Sequence, residues 1–463
     1  MSMNYKWLKP ADGLHIELMQ AKDEGKKVEA FKNKVASIQA MDDLNPKKQL
    51  LAEDLYDEIE QLPVEGGYKY IEPSDLAGIK AQRPDSRTAA KSTPDDEELY
   101  NRVYGAWLGR CAGCLLGKPI EGWSRGAVNG LLKETGNYPF KYYISSDISD
   151  DIKKKYNVID EKKTYGNKHI SWINNVRNMP EDDDTNYTII GLKILEEYGH
   201  SFTPDDVAEC WLQNLPILHV CTAEKIAYKN IVNSISPPES ASYRNPCREW
   251  IGAQIRADFF GYATPGNAEL GAEFAWRDAS ISHKKNGIYG EMFVAAMLSE
   301  AAVNCEIEEI IRAGLQQIPD KSRLTEKIRD VLSWKNKGIN WEEAIDKVHV
   351  LYDELNQHDW CHTISNAMIV CIGLLYGELD FEKSIGTAVL GGLDTDCNGA
   401  TVGSIVGMVI GAKALPVKWT APLNDHLQSG VDGFGLVKIS DMASRTLLKI
   451  REIRQVSMKP SNF

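Results

Sequence analysis

The chain has 463 residues, 43% apolar and 26% charged, with a formal net charge of −13. That length and mix suit a soluble globular protein with one large core or two, and the acidic balance speaks against nucleic acid as a partner while leaving metal cations open. Nine scattered cysteines, an odd number, fit reduced thiols in a cytoplasm, and the lone pair Cys111 and Cys114 lacks the further ligands a zinc site needs.

Residues 1–94 read as an accessory helical segment and linker. Lys6, Lys9, Asp12 and Glu17 interrupt any secretory apolar run. Stretches 11–25 and 29–41 are polar helices, and 47–62 is a stronger one with Leu50, Leu51, Leu55 and Ile59 along one side. Residues 81–95, rich in Pro, Ser, Thr and charge, read as a linker. Nothing in this segment looks like chemistry.

From 95 to 456 the pattern is helix after helix, with no convincing hairpin or βαβ alternation, so the predicted class is all-α. Residues 101–122 carry Gly105, Gly109, Gly113 and Gly117, spaced four apart and therefore on one helical face. Pro119 ends that helix and Glu121 follows. A second ladder, Gly399, Gly403, Gly407 and Gly411, predicts that the two helices pack backbone to backbone. Its uncharged run, 397–412, is shorter than the roughly 20 residues of a membrane span. Residues 124–180 are polar and read as a long excursion, a lid or rim. Residues 288–303, 307–317, 321–334, 341–355 and 361–376 all have helical periodicity, with Gly377 as the cap of the last.

Two acidic turns stand at helix starts: Asp182, Asp183 and Asp184 before a helix ending near Gly199, and Asp394 and Asp396 before the second ladder. N-capping explains one carboxylate per helix. If the turns converge, like charges that close must be protonated or neutralised by cations, and oxygen donors select Mg²⁺, Mn²⁺ or Ca²⁺. Residues 244–267, with Arg244, Arg248 and Arg256 among aromatics and glycines, read equally as a packed loop or as a wall for a flat ring and an anion. His283 reads as a satisfied polar residue or part of that wall.

Three stretches, GAWLGRCAGCLLGKPIE, DDDTNY and GGLDTDCNGATVGSIVGMVIG, together resemble the ADP-ribosylglycohydrolase family, in a divergent, bacterial-type branch like the dinitrogenase-reductase-activating glycohydrolases. The resemblance implies a compact all-α catalytic domain that hydrolyses the glycosidic bond of an ADP-ribosyl or related ribosyl group. The substrate would be a modified protein or a small molecule, and the cofactor two Mg²⁺ ions, with Mn²⁺ or Ca²⁺ as alternatives. Asp183, Asp184, Asp394 and Asp396 match the metal-binding aspartates, and Asp182 takes a place where the family often has Thr or Ser, keeping an oxygen ligand for the metal and adding charge. Glu121 matches the glutamate near the scissile bond, with Asp183 as its catalytic companion. Gly252, Ala253 and Arg256 match the substrate loop, Trp250 adjoins it, and His283 matches a histidine further on. On this reading the diphosphate and adenine lie along Arg248, Arg256, Trp250, Phe259 and Phe260. Cys114 stands where the family usually has Asp, Cys397 where it often has Thr, and Leu393 is an extra residue before Asp394. These departures keep a second reading open, a catalytically impaired ADP-ribose-binding protein of the same fold. A terpenoid synthase is set aside because Tyr187 occupies the place of the later acid in a DDxxD pattern. Neither a membrane nor a nucleic acid is expected as partner, and the sequence leaves the oligomeric state open.

Overall fold

A computed structural model describes residues 7–85, 91–160 and 168–457. Its spine is the pair of glycine-laddered helices. Within it, α1 (Leu14–Asp23), α2 (Lys32–Gln39) and α3 (Pro46–Glu60) belong to the N-terminal segment. They are followed by α4 (Asp96–Gly117), α5 (Asp183–Glu197), α6 (Asn286–Ala301), α7 (Thr363–Gly377), α8 (Phe381–Leu390), α9 (Thr395–Ile410) and α10 (Ile439–Ser457), with shorter helices between. The fold is all-α. Its described strands are a three-residue hairpin, β1 (His426–Gln428) with β2 (Leu436–Lys438), too short to leave an alternation in the sequence. No described helix is long and apolar enough to cross a membrane.

Helices α4 and α9 run antiparallel. Gly105 faces Gly407, Gly109 faces Gly403 and Gly113 faces Gly399, so one ladder descends as the other climbs. A Cβ at Gly109 would fall inside the carbonyl oxygen of Gly403, and one at Gly113 inside that of Gly399. The glycines are there because backbone touches backbone, a contact that outweighs their roughly 1 kcal/mol helix penalty each. Around the pair, α6, α7 and α8 are almost wholly buried and fill the main core.

The N-terminal segment has its own small core of Leu14, Val35, Leu55 and Ile59. Leu50 and Leu51, expected on the buried side of α3, are 61% and 42% exposed; Ala52 and Tyr56 take that face instead. The segment docks through Trp7 and Ile16 onto Ala223, Cys247 and Trp250. Of the expected linker 81–95, residues 86–90 lie outside the described residues. Residues 124–180 are less irregular than expected, since they contain helices Arg125–Glu134 and Asp150–Tyr156. At the end of α7 the left-handed residue is Glu378, at φ 53°, while Gly377 remains helical and its missing Cβ makes room for Ser384.

Candidate active site

The ladders set the site's geometry by bringing the C-terminal end of α4 against the N-terminal end of α9. The Thr395 hydroxyl donates to the Gly117 carbonyl at 3.0 Å, tying the two ends together. Past Gly117 the chain makes one 3₁₀ turn, Lys118–Ile120, and Glu121 follows in extended conformation. Before α9, Gly392 (φ 71°) and Leu393 (φ 58°) are both left-handed. Leucine is strained there, but its side chain is fully buried. This turn holds Asp394, whose N–H donates to Asn366 Oδ1 at 3.1 Å. From the third side, Asp182 caps α5 by accepting from the Asp184 N–H at 3.0 Å. The two acidic turns thus converge, as their shared place at helix starts suggested.

Each carboxyl has a different environment. Asp184 is fully buried and paired with Arg110, which reaches its Oδ1 at 3.1 Å and also grips Asp258 at 2.8 Å. The Cys397 thiol donates to the other Asp184 oxygen at 3.2 Å. Burial, then Asp184 and Asp394, push that thiol well above the usual range, so Cys397 stays protonated and is a poor ligand. Asp394 is likewise pushed well up, first by burial and then by Asp396 and Glu121. Asp183 is pushed up to about 8 by burial and Asp182. Asp396 is held low: burial raises it, but Lys118 outweighs burial.

Lys118, which the sequence reading passed over, sits at the centre. Its Nζ lies 2.8 Å from Asp182 Oδ2, 2.8 Å from Asp396 Oδ2 and 3.1 Å from Glu121 Oε2. Burial lowers the ammonium's pKa, yet the surrounding carboxylates win and hold it well above the ordinary lysine value. Arg110 was also missed. Both residues left a signal in the sequence: Arg110 is the charge inside an otherwise uncharged glycine ladder, and a buried arginine requires acidic partners.

A cavity of about 260 Å³ opens over this centre. Glu121, Asp183, Asp394 and Asp396 form its floor, Lys225 and Thr222 stand at its edge, and Trp7 and Trp360 supply aromatic walls. The Trp360 Nε1 is buried without a hydrogen-bond partner, as is Asp396 Oδ1. Trp7 thus brings the N-terminal segment to the wall of the cavity.

The expected substrate loop divides. Gly252 lines the cavity together with Ile251 and Ile255. Trp250, Ala253, Arg256 and His283 lie behind it, all essentially buried. Trp250 stacks edge-on against Trp7, with ring centroids 5.4 Å apart, and donates to His358. Arg256 is saturated by Asp278, by Glu224 at 3.0 Å and by Glu291 at 3.6 Å. His283 lies 4.0 Å from Glu224, and burial and Arg256 keep it neutral. Arg248 is committed to Glu17 at 2.7 Å and Glu24 at 2.8 Å. Phe259 and Phe260 are core residues. The expected path for diphosphate and adenine along Arg248, Arg256, Trp250, Phe259 and Phe260 is therefore corrected: the arginines already hold carboxylates, and the rings are sealed.

A second group, Asp23, His358 and His362, has metal-like spacing, but its protons argue against an ion. His358 Nδ1 accepts from the Trp250 indole at 3.1 Å, and His362 Nδ1 accepts from the Ile364 N–H at 3.1 Å. Each neutral ring therefore carries its hydrogen on Nε2, and that of His358 faces Asp23 at 3.0 Å. The His358–Asp23 hydrogen bond ties the end of α1 to the body of the protein.

Fold and site together define an all-α protein whose carboxyl-lined cavity is built on the abutting ends of two helices. The chain belongs to the ADP-ribosylglycohydrolase family, whose sequence model matches residues 95–452, and it is by that membership a glycosidic hydrolase. A solved structure titled "ADP-ribosylglycohydrolase-related protein complex" is similar at 18% identity, over 77% of this chain and 99% of that one, with a TM-score of 0.48. Comparison with curated proteins gave no match.

Proposed function

We propose that the chain hydrolyses the glycosidic bond of an ADP-ribosyl or related ribosyl group, on a modified protein or a small molecule, with the help of a divalent cation. The observation that carries this reading is the meeting of Glu121, Asp183, Asp394 and Asp396 on the floor of one cavity. The donor set fits a hard cation: Asp396 Oδ1 is a buried oxygen without a hydrogen-bond partner, and Asp394, beside it, is pushed well above its normal range by burial and then by Asp396 and Glu121. Asp183, Asp394 and Asp396 would hold the ion, with Mg²⁺ the first choice and Mn²⁺ or Ca²⁺ the alternatives. When bound, it would supply Lewis acidity toward the ribose diol and the attacking water.

The chain's own groups do the rest. Glu121 reaches into the cavity from the end of the 3₁₀ turn, oriented by Lys118, and acts on the water or the leaving group. Asp183 holds a proton near neutrality until a cation displaces it. With Arg248 and Arg256 committed elsewhere, Lys225 is the cation placed for a diphosphate, and Trp360, on the same lining, carries a buried N–H without a partner. Trp7 and Trp360 replace the sealed rings as the apolar walls. Nine free thiols support a reducing, cytoplasmic setting.

Calorimetric titration of ADP-ribose with Mg²⁺ and after chelation tests binding, and Glu121→Gln tests chemistry. The variant is expected to keep ADP-ribose affinity and lose about 100- to 10,000-fold in kcat. Unchanged turnover would remove Glu121 from the reaction. Binding by the wild type without turnover of any ADP-ribosylated substrate would favour the impaired binding protein.

A further inference from the structure

We propose that Lys118 is a built-in cation that occupies one of the site's two cation positions, so that the folded chain takes up one divalent ion where its acidic residues would otherwise hold two. This rests on the reading of the acidic cluster as a cation site.

The geometry is that of an occupied site. Lys118 Nζ lies among three carboxylate oxygens, from Asp182, Asp396 and Glu121, at 2.8, 2.8 and 3.1 Å, donating a hydrogen bond to that of Asp396 and ion-paired with the other two. An ion bridging the same oxygens at about 2.0–2.6 Å would sit where the nitrogen sits, so the two exclude each other. Asp182, Asp184 and Asp396 together have the spacing of an ion site, and an ion drawing on Asp182 Oδ2 would have to displace the ammonium that faces it. Asp184 is held by Arg110 and Cys397. What remains is Asp394 with Asp396, whose carboxyl oxygens have the spacing of an ion site, and Asp183 on the same cavity lining, enough for one ion that would share Asp396 with the ammonium.

The position of Lys118 is built rather than incidental. Gly117 is pinned to Thr395 at the end of α4, and Pro119 holds the 3₁₀ turn that aims the side chain inward. The side chain is 14% exposed, while the Asp182 and Asp396 side chains it faces are each 2% exposed. A flexible four-carbon stem ending in a compact charge can fill an ion's place, which a planar guanidinium would not.

The test counts ions on the full chain. After chelation and dialysis, Mn²⁺ is titrated into the wild type, Lys118→Gln and Lys118→Met, and free ion is followed by its six-line paramagnetic resonance signal. The wild type is expected to take one Mn²⁺ with the spectrum of an isolated ion. Both variants are expected to take one ion more and to show an exchange-coupled pair. Equal stoichiometry in folded wild type and variants would overturn the proposal. If the variants do not fold, the wild-type spectrum decides: a coupled pair at saturating Mn²⁺ overturns it, and an isolated ion supports it. The outcome is separable from the proposed function. A rise in stoichiometry without any ADP-ribose binding or release would sink the substrate reading and leave the role of Lys118 standing.

Discussion

Two groups of buried carboxylates face each other across this molecule, and their counter-charges differ in kind. At the seam under the N-terminal segment, Glu17 and Glu24 close on Arg248, and Glu72 and Glu249 close on Arg323 at 2.8 and 2.7 Å. Lys285 adds a second contact to Glu24 at 3.2 Å. On the cavity floor, Asp182, Asp396 and Glu121 share the single ammonium of Lys118, and Asp394 faces other acids. Burial pushes both Glu24 and Asp394 up. At Glu24, Arg248 and Lys285 outweigh it; at Asp394, Asp396 and Glu121 add to it. The arginine pairs hold Glu24 and Glu72 low against burial, while burial still wins at Glu17 and Glu249, and the pairs tie the segment to the fold. Undercharged acids beside a cavity hold protons that a cation can replace.

The comparison breaks most sharply at Arg248. Arg248→Met leaves Glu17 buried without its guanidinium and Glu24 with Lys285 as its remaining cation, so a loss of about 3–5 kcal/mol is expected, read by urea unfolding with m-values compared. Unchanged stability would mean that the seam is not what holds α1. The next effect is in pH. In the chelated protein Asp183 stands at about 8, against about 4 in an unfolded chain. Between those values the folded state holds a proton that the unfolded state lacks, so stability falls as pH rises from about 4 to about 8. Melting temperatures of the chelated protein at pH 5 and pH 8 are expected to show that fall, and Asp183→Asn to flatten it. Glu24, whose folded pKa is lowered, adds no such fall, whereas burial pushes Glu249 up to about 7 and so leaves part of the slope in the Asn variant; an unchanged slope there would assign the whole effect elsewhere. The smallest expected change is at the rim, where Lys225→Ala should weaken ADP-ribose about tenfold, the worth of one partly solvated charge-assisted contact. The same loss with ribose alone would show that Lys225 does not face the diphosphate.

What was legible in the sequence was what depends on local spacing. Glycines four apart announced a backbone contact, and acids before apolar periodicity announced helix starts. The loop 244–267 was ambiguous for a physical reason. An arginine poised for a phosphate and one destined for a carboxylate have the same neighbours in sequence, and only the arrival of Glu17, Glu24, Glu224 and Asp278 decides between them. Lys118 was hidden in the same way: its meaning comes from where α5 and α9 begin in space, though its place three before Glu121 on a helical turn was a local hint. Trp7 and Trp360 lie 353 positions apart in the chain and meet only because the N-terminal segment folds back over the site.

The glycine contact between α4 and α9 has a consequence for how such a site can change. The separation of the Lys118–Glu121 turn from the Asp394–Asp396 turn is set by two backbones already touching. No substitution along the ladder can bring them nearer, because nothing smaller than hydrogen exists, and any larger side chain forces them apart. The walls of the cavity can drift one residue at a time. Its floor can shift only by a slide of one four-residue step, about one helical turn, which would replace every facing pair at once.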